Sequence, residues 1–263
     1  MHFYTFAVRK TDTPMSGHNK WSTIKRKKGA ADARRSKIFS RIAKEITIAV
    51  KEGGSADPEF NPRLRLAIQN AKGANMPKDN IERAINKGQS DSGGLQEVTY
   101  EGYAPGGVGI FVECMTDNTN RTVGNIRSVF NKRGGNLGTN GSLSFLFDRK
   151  GVFAIPKEGL DAEEFAMEVI DAGAEDFQEE DDYFVVYTAM EDFGKVQKKL
   201  EEIGVVPENA ELRRIPNTLK KLDPEEAMKV LRMIDDFEED DDVQNVYHNL
   251  ELTEEILQKW ENS

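Results

Sequence analysis

EVTYEGYAPGGVGIFVECM, residues 97–115, is the stretch from which the fold can be read outward. Its first seven residues alternate in polarity, the period of a half-buried strand. APGG is turn chemistry, and VGIFVECM is a short continuous apolar run of the kind that fills a buried strand. A hairpin is the expectation. TDNTNRT (residues 116–122) then offers cap-forming side chains for a helix whose apolar side is Val123, Ile126, Val129 and Phe130. Gly134 and Gly135 close that helix.

Two strands and a helix lack the partners to close a sheet. The missing pieces come late in the chain. Asp223 and Pro224 open a helix running to about Phe237, DDVQNVYHNLEL (241–252) is strand-like, and a short terminal helix ends at Trp260. Residues 95–141 and 214–263 are therefore expected to fold together, with 142–213 inserted between them. In the insert, strands are expected at LSFLF and GVFAI, around AEDFQ and YFVVYT, and over 210–215, with helices over 161–172 and 190–203. That ββαββαβ pattern is an α+β layer of ferredoxin-like character.

Upstream of the hairpin the pattern is helical. Ile38, Ile42 and Ile46 recur every four residues, joined by Phe39, Ala43 and Val50. Arg34, Lys37, Arg41 and Lys44 repeat on another side as a basic stripe, expected to face outward. Glycines in EGGSADP stop this helix, Asn61 and Pro62 open a second, and Pro77 opens a third that closes at Gly88. The fold class is α+β: a three-helix domain over 15–90, then two α+β domains, one inserted in the other. Residues 1–14 lack the apolar core of a signal peptide and read as an upstream extension, with Met15 as the functional start.

Charge is segregated along this frame. Residues 1–90 carry 19 Lys and Arg against 8 Asp and Glu, whereas the other 173 carry 17 against 38. The basic head extends into an arm before the first helix, where Trp21 stands among Lys20, Lys25, Arg26, Lys27 and Lys28. Such asymmetry points to nucleic acid, with a solvated charged face as the bland alternative.

Catalytic chemistry is not legible. His2, His18 and His248 are far apart, and Cys114 is alone in an apolar strand, where packing is the expected role. GGVG (106–109) joins two strands, so it is no dinucleotide fingerprint, and a phosphate-cradling loop of the G-x-x-x-x-G-K-[ST] type is missing from the sequence. The acid runs QEEDD and DDFEEDDD (235–242) are expected to be solvated. The expectation is a non-enzyme with no cofactor, no metal and no small-molecule substrate. No apolar run approaches a membrane span, and the single cysteine fits a reducing compartment, the cytoplasm.

Two loops carry a second set of candidates. In TDNTNRT, Thr119 or Asn120 is expected to cap the helix. Arg121 sits at a helix start, where the macrodipole opposes a cation, so an external anion or a buried carboxylate is expected to hold it. NKRGGNLGTNGS (131–142) is either a flexible connector or a loop whose small residues bring backbone close to a phosphate or sugar. Its candidates are Lys132, Arg133, Asn136, Thr139 and Asn140.

The segments SGHNKWSTIKRKKGAADARRSKIFSRIAKEI, NPRLRLAIQNAKGANMPKDNIERAINKG, YEGYAPGGVGIFVECMTDNTNRTV, GGNLGTNGS and DDVQNVYHNL together resemble the YebC/PmpR family over residues 15–250. The resemblance implies a three-domain fold with a helical N-terminal domain and two α+β domains. It implies DNA-binding transcriptional regulation, or, from relatives that include a mitochondrial translational activator, a ribosome-associated factor that helps translation through consecutive prolines. It implies neither a catalytic residue nor a cofactor. The head as read here, Lys20, Trp21, Lys25, Arg26, Lys27, Lys28, Arg34, Arg35, Lys37, Arg41 and Lys44, is lysine-rich and regular, better suited to phosphates than to base edges. An arm with an aromatic among cations suits folded RNA. Ribosomal RNA or tRNA, on the ribosome, is the expected partner, and duplex DNA is the alternative.

Overall fold

A computed structural model describes residues 31–90, 94–180 and 182–263, with side chains from Arg35 onward. The head is three helices. Helix α1 (Ala31–Gly53) buries Ile46, Ala49 and Val50 against α2 (Pro62–Gly73) and α3 (Lys78–Gln89). Asn61 caps α2 as its sequence suggests, its side chain accepting from the Leu64 amide at 3.0 Å. Between α2 and α3 the chain turns through Asn75, whose φ of 56° is left-handed.

Strands β1 (Gln96–Ala104) and β2 (Val108–Thr116) form the expected hairpin. Gly106 and Gly107 turn it at φ of 73° and 76°, backbone that residues with a Cβ rarely adopt. Helix α4 (Thr119–Lys132) and the two-residue strand β3 (Asn136–Leu137) follow. The sheet is completed from the far end of the chain: β8 (Val243–His248) pairs antiparallel with β2, giving the order β3-β1-β2-β8. Helices α4, α7 (Pro224–Glu239) and α8 (Glu254–Glu261) supply the core on one face, where the Phe130 and Phe237 rings meet edge-on at 4.9 Å.

In sequence between β3 and α7 lies a second sheet. Strands β4 (Phe147–Pro156), β5 (Ala174–Glu179), β6 (Tyr183–Ala189) and β7 (Asn209–Pro216) take the order β5-β6-β4-β7, antiparallel throughout. Helices α5 (Ala162–Asp171) and α6 (Phe193–Glu202) cover the face that carries Phe153, Phe184 and Val186. The pattern is βαββαβ, ferredoxin-like, with one strand fewer than the sequence suggested. LSFLF and GVFAI do not form two strands. Leu143, Leu146 and Phe147 turn inward while Phe145 is 71% exposed, so inward positions fall at turn spacing rather than on alternate residues. The amides of Ser144 and Leu146 donate to the carbonyls of Gly141 and Leu143, winding the segment into turns. Only Phe147 joins the strand.

The head meets both sheets. Ile48 of α1 packs with Leu95 and Met115 at the end of the first sheet. On α2, Leu66 reaches the core of the second sheet. There the Asn70 side chain imitates a neighbouring strand, donating to the Ala210 carbonyl at 2.8 Å and accepting its amide at 3.0 Å. Gly73 lies so close to β7 that an added Cβ would come 2.2 Å from the Glu208 carbonyl oxygen. The two sheets are joined by Glu113 of β2, which accepts from Arg214 of β7 at 3.0 Å and from Asn245 at 3.2 Å, while the Arg214 guanidinium stacks 3.7 Å from the Phe111 ring centroid.

Replacing Asn70 with Ala strips both backbone groups of Ala210 of their partner and is expected to lower the unfolding free energy by about 1–3 kcal/mol. Denaturant unfolding with residue-resolved amide exchange checks this. Unchanged protection at Ala210 would contradict the pairing.

Candidate nucleic-acid interface

The candidates divide by position. Lys20, Trp21, Lys25, Arg26, Lys27, Lys28 and the side chain of Arg34 lie outside the described residues, as does the extension over 1–14. Arg35 is exposed, its guanidinium 6.0 Å from the Phe39 ring centroid, and Lys37 is half-buried.

Arg41 and Lys44 do not face outward, contrary to the stripe read from sequence. Lys44 Nζ donates to the Asp241 carbonyl at 2.7 Å, to the Met115 carbonyl at 3.0 Å and to Asp242 Oδ1 at 3.3 Å. Arg41 Nη2 reaches the Glu238 carbonyl at 3.4 Å. That carbonyl belongs to the last turn of α7, where acceptors are left unpaired and the helix dipole is negative. Arg41 of α1 therefore caps the carboxyl end of α7, and Lys44 holds the loop that follows it. The fit is imperfect for Arg41: its Nε is buried without a hydrogen-bond partner. Burial lowers its pKa, and the charges of Glu238 and Glu211 only partly oppose this. The reason for the reorientation is that the stripe and the apolar side chain Ile48 share a helix, and seating Ile48 on the sheet carries the last turns of the stripe with it.

Asp242 is the centre of this contact. Its Oδ2 accepts from Arg121 Nη2 at 2.7 Å, Thr122 Oγ1 at 2.9 Å and Thr116 Oγ1 at 3.1 Å, while Lys44 takes Oδ1. Burial would raise the pKa of the carboxyl, but hydrogen bonds from Arg121, Thr122 and Thr116 and the charge of Lys44 outweigh it, holding the group below the usual aspartate value. Of the two expectations for Arg121, the buried carboxylate is the one observed. The helix cap is Asn118, whose side chain accepts the Arg121 amide at 3.0 Å, and not Thr119 or Asn120. The acid run 235–242 is not wholly solvated, since Asp242 is 5% exposed.

The glycine-rich loop is occupied from within. Glu101 of β1, 3% exposed, accepts the amides of Gly141 at 2.8 Å and Leu143 at 2.6 Å. Backbone donors that could have met a phosphate hold an internal carboxylate instead. Lys132 and Arg133 both face Asp236, Arg133 through a two-pronged pair at 2.7 Å on each oxygen. Asn136, Thr139 and Asn140 are exposed, and Asn136 lies opposite Tyr103 in the sheet. Sequence reasoning missed Glu101, Asp242 and Arg63. Arg63 gathers Glu45, Glu52 and Glu97 around one guanidinium. Nothing local marks any of the three, because their partners come from other elements.

Cys114 packs in the core of the first sheet, and burial together with nearby acids pushes its thiol up to about 12, so it stays protonated. Among the described residues, no group of three or more His, Cys, Asp or Glu is placed to hold a metal ion, and no helix is long and apolar enough to cross a membrane.

Family comparison agrees with this architecture. Residues 19–91 match the family described as TACO1/YebC protein N-terminal domain, and residues 95–250 match TACO1/YebC second and third domain. The chain belongs to the TACO1/YebC family. A relative from Geotalea uraniireducens, named a probable transcriptional regulatory protein, is 53% identical over 247 residues, 93% of this chain and 99% of the relative. One of the same name from Rubrobacter xylanophilus is 50% identical over 246 residues, 92% and 98% of the two chains. The crystal structure of a conserved hypothetical protein from Aquifex aeolicus superposes with a TM-score of 0.82 at 46% identity, covering 90% of this chain and 99% of that one. The TACO1/YebC fold is thus the one built here, with its head held by Asp242.

The depressed pKa of Asp242 sets a pH dependence. A carboxyl whose folded pKa lies below its unfolded value of about 4 stabilises fully above that value and loses the contribution as pH falls through the folded pKa. Asp242→Asn is expected to cost about 1–3 kcal/mol near neutrality. Below about pH 4 the wild type should lose stability more steeply than the variant. Parallel unfolding curves at pH 7 and pH 3 would contradict the assignment.

Proposed function

We propose that the protein is a non-enzymatic, nucleic-acid-binding regulator of gene expression that acts on RNA, associating with the ribosome as a translation factor. The observation that carries this reading is the charge partition. A head and arm with 19 basic and 8 acidic residues precede a body with 17 basic and 38 acidic. Phosphate neutralisation supplies most of the affinity of such surfaces and makes it strongly salt-dependent. The acidic body repels the rest of a polyanion, so contact is confined to the head. Trp21 among the cations of the arm favours RNA, where stacking adds to charge.

A second reading is a DNA-binding transcriptional regulator. It is favoured by the names of the relatives, which are probable transcriptional regulatory proteins.

The test is sedimentation with ribosomes on a gradient at moderate salt. The wild type is compared with a variant carrying Lys25→Glu, Arg26→Glu, Lys27→Glu and Lys28→Glu. These positions are preferable to Arg41 and Lys44, whose reversal would break the contact with the body. The wild type is expected in the ribosomal fractions and the variant at least tenfold depleted from them. If neither protein enters those fractions, the ribosomal reading falls and duplex DNA becomes the partner to test.

A further inference from the structure

Of the large apolar side chains described on the body, Phe145 is the most exposed, at 71%, while Leu143, Leu146 and Phe147 of the same turn face inward. The turn that carries it is fastened on both sides. Glu101 holds the Gly141 and Leu143 amides, and the Leu146 amide donates to the Leu143 carbonyl at 2.9 Å. Asn217 donates to the Phe145 carbonyl through its side chain at 3.1 Å and to the Leu146 carbonyl through its amide at 2.9 Å. An aromatic ring is thus held out to solvent on an ordered backbone, which lowers the entropic cost of binding on it.

Tyr103, 38% exposed, lies at the same corner of the first sheet. Its partner on β2 is Gly109, and Leu146 occupies the space that a Cβ on Gly109 would need. Directly paired residues share a face, so the turn sits on the face to which Tyr103 belongs. On β3 the partner of Tyr103 is Asn136.

Charge singles this corner out. Residues 134–147 and 102–112 are the two longest stretches of the chain without Asp, Glu, Lys or Arg, although 31% of all residues are charged. The fold brings the two together, Gly102 and Tyr103 pairing with Leu137 and Asn136 while Gly109 meets Leu143 and Leu146. Phe60, 79% exposed on the head, has a different setting, because Asp57 and Glu59 precede it. The exposed polar side chains of the loop are Asn136, Thr139, Asn140 and Ser144, amides and hydroxyls that both donate and accept. A carboxylate already fills the loop's amides, which disfavours a second anion. A neutral planar group with hydrogen-bonding edges fits instead.

We propose that Tyr103 and Phe145 form a stacking platform for an unpaired nucleobase, with Asn136, Asn140 and Ser144 at its edge. This rests on the nucleic-acid reading above. It divides the work chemically: the basic head neutralises phosphates, and a charge-free corner of the acidic body takes a base, whose stacking on an aromatic ring needs no cation.

The test is fluorescence anisotropy of the full-length protein on a labelled single-stranded RNA and on a duplex DNA of equal length, each at several salt concentrations. The wild type is compared with Phe145→Ala, Tyr103→Ala, Phe145→Trp and, as a control for an exposed ring elsewhere, Phe60→Ala. Phe145→Ala is expected to weaken RNA binding at least about fivefold, the lower end for losing one stacked base. Its log–log salt slope should match that of the wild type, because no phosphate contact is removed. Phe145→Trp and Phe60→Ala should stay within about twofold of wild type. In parallel, RNA carrying 5-iodouridine is irradiated on the protein, and the cross-linked peptide is expected to contain Phe145 or Tyr103. Wild-type affinity in both Ala variants, with cross-links confined to other segments, would overturn the platform and leave the nucleic-acid reading standing. Binding to the duplex alone would overturn the unpaired base as occupant. Self-association of the wild type that Phe145→Ala abolishes would give the corner to a second copy of the chain and overturn the proposal. A wild type that binds neither probe would overturn both the platform and the nucleic-acid reading.

Discussion

The Asp242 carboxylate is the point on which the arrangement of this molecule depends. Donors from three separate elements converge on it: Lys44 from the head, Thr116 from the end of β2, and Arg121 and Thr122 from the first turn of α4. A nearly buried charge is tolerated only when its lone pairs are filled. Here the groups that fill them tie the head, the hairpin and the helix to one loop between α7 and β8. The same loop exposes carbonyls at the end of a helix, which adds a second reason for cations to seat there.

This arrangement gives the charge segregation a structural use: part of the basic head is complementary to the acidic body and holds the molecule together, and part of it, such as Arg35, stays exposed. The division falls within α1 itself: the turn carrying Lys44 also carries Ile48 onto the sheet, whereas Arg35 near the start stays exposed. A basic stripe on a helix is therefore a poor guide to a binding face unless the apolar residues beside it are known to be free. The glycine-rich loop teaches the same lesson, since its amides are satisfied by Glu101 before any ligand arrives.

Much of the fold was legible in the sequence because it is written in local patterns. Alternation and turn chemistry announced the β1–β2 hairpin, Asn61 and Pro62 announced α2, and the helix and strand after residue 222 announced the return to the first sheet. The failure at LSFLF was one of period, since five residues cannot separate a strand from a turn when inward positions fall at 143, 146 and 147. In the candidate interface the local parts were readable and the partners were not. That Arg121 needed a counter-charge followed from its place at a helix start. That Asp242 supplies it, rather than any other acid of the run 235–242, depends on the pairing of β8 with β2, which no nearby residue encodes. Glu101 and Arg63 were invisible for the same reason.

A double-mutant cycle between Lys44→Met and Asp242→Asn, read by the unfolding free energy of the full-length protein, tests most directly whether the head is held to the body through this carboxylate. The account predicts that the two losses are not independent, with a coupling of about 1 kcal/mol or more, as for residues in one hydrogen-bonded network. Losses that add to within about 0.3 kcal/mol would contradict it, leaving Asp242 as a fastening of α4 alone.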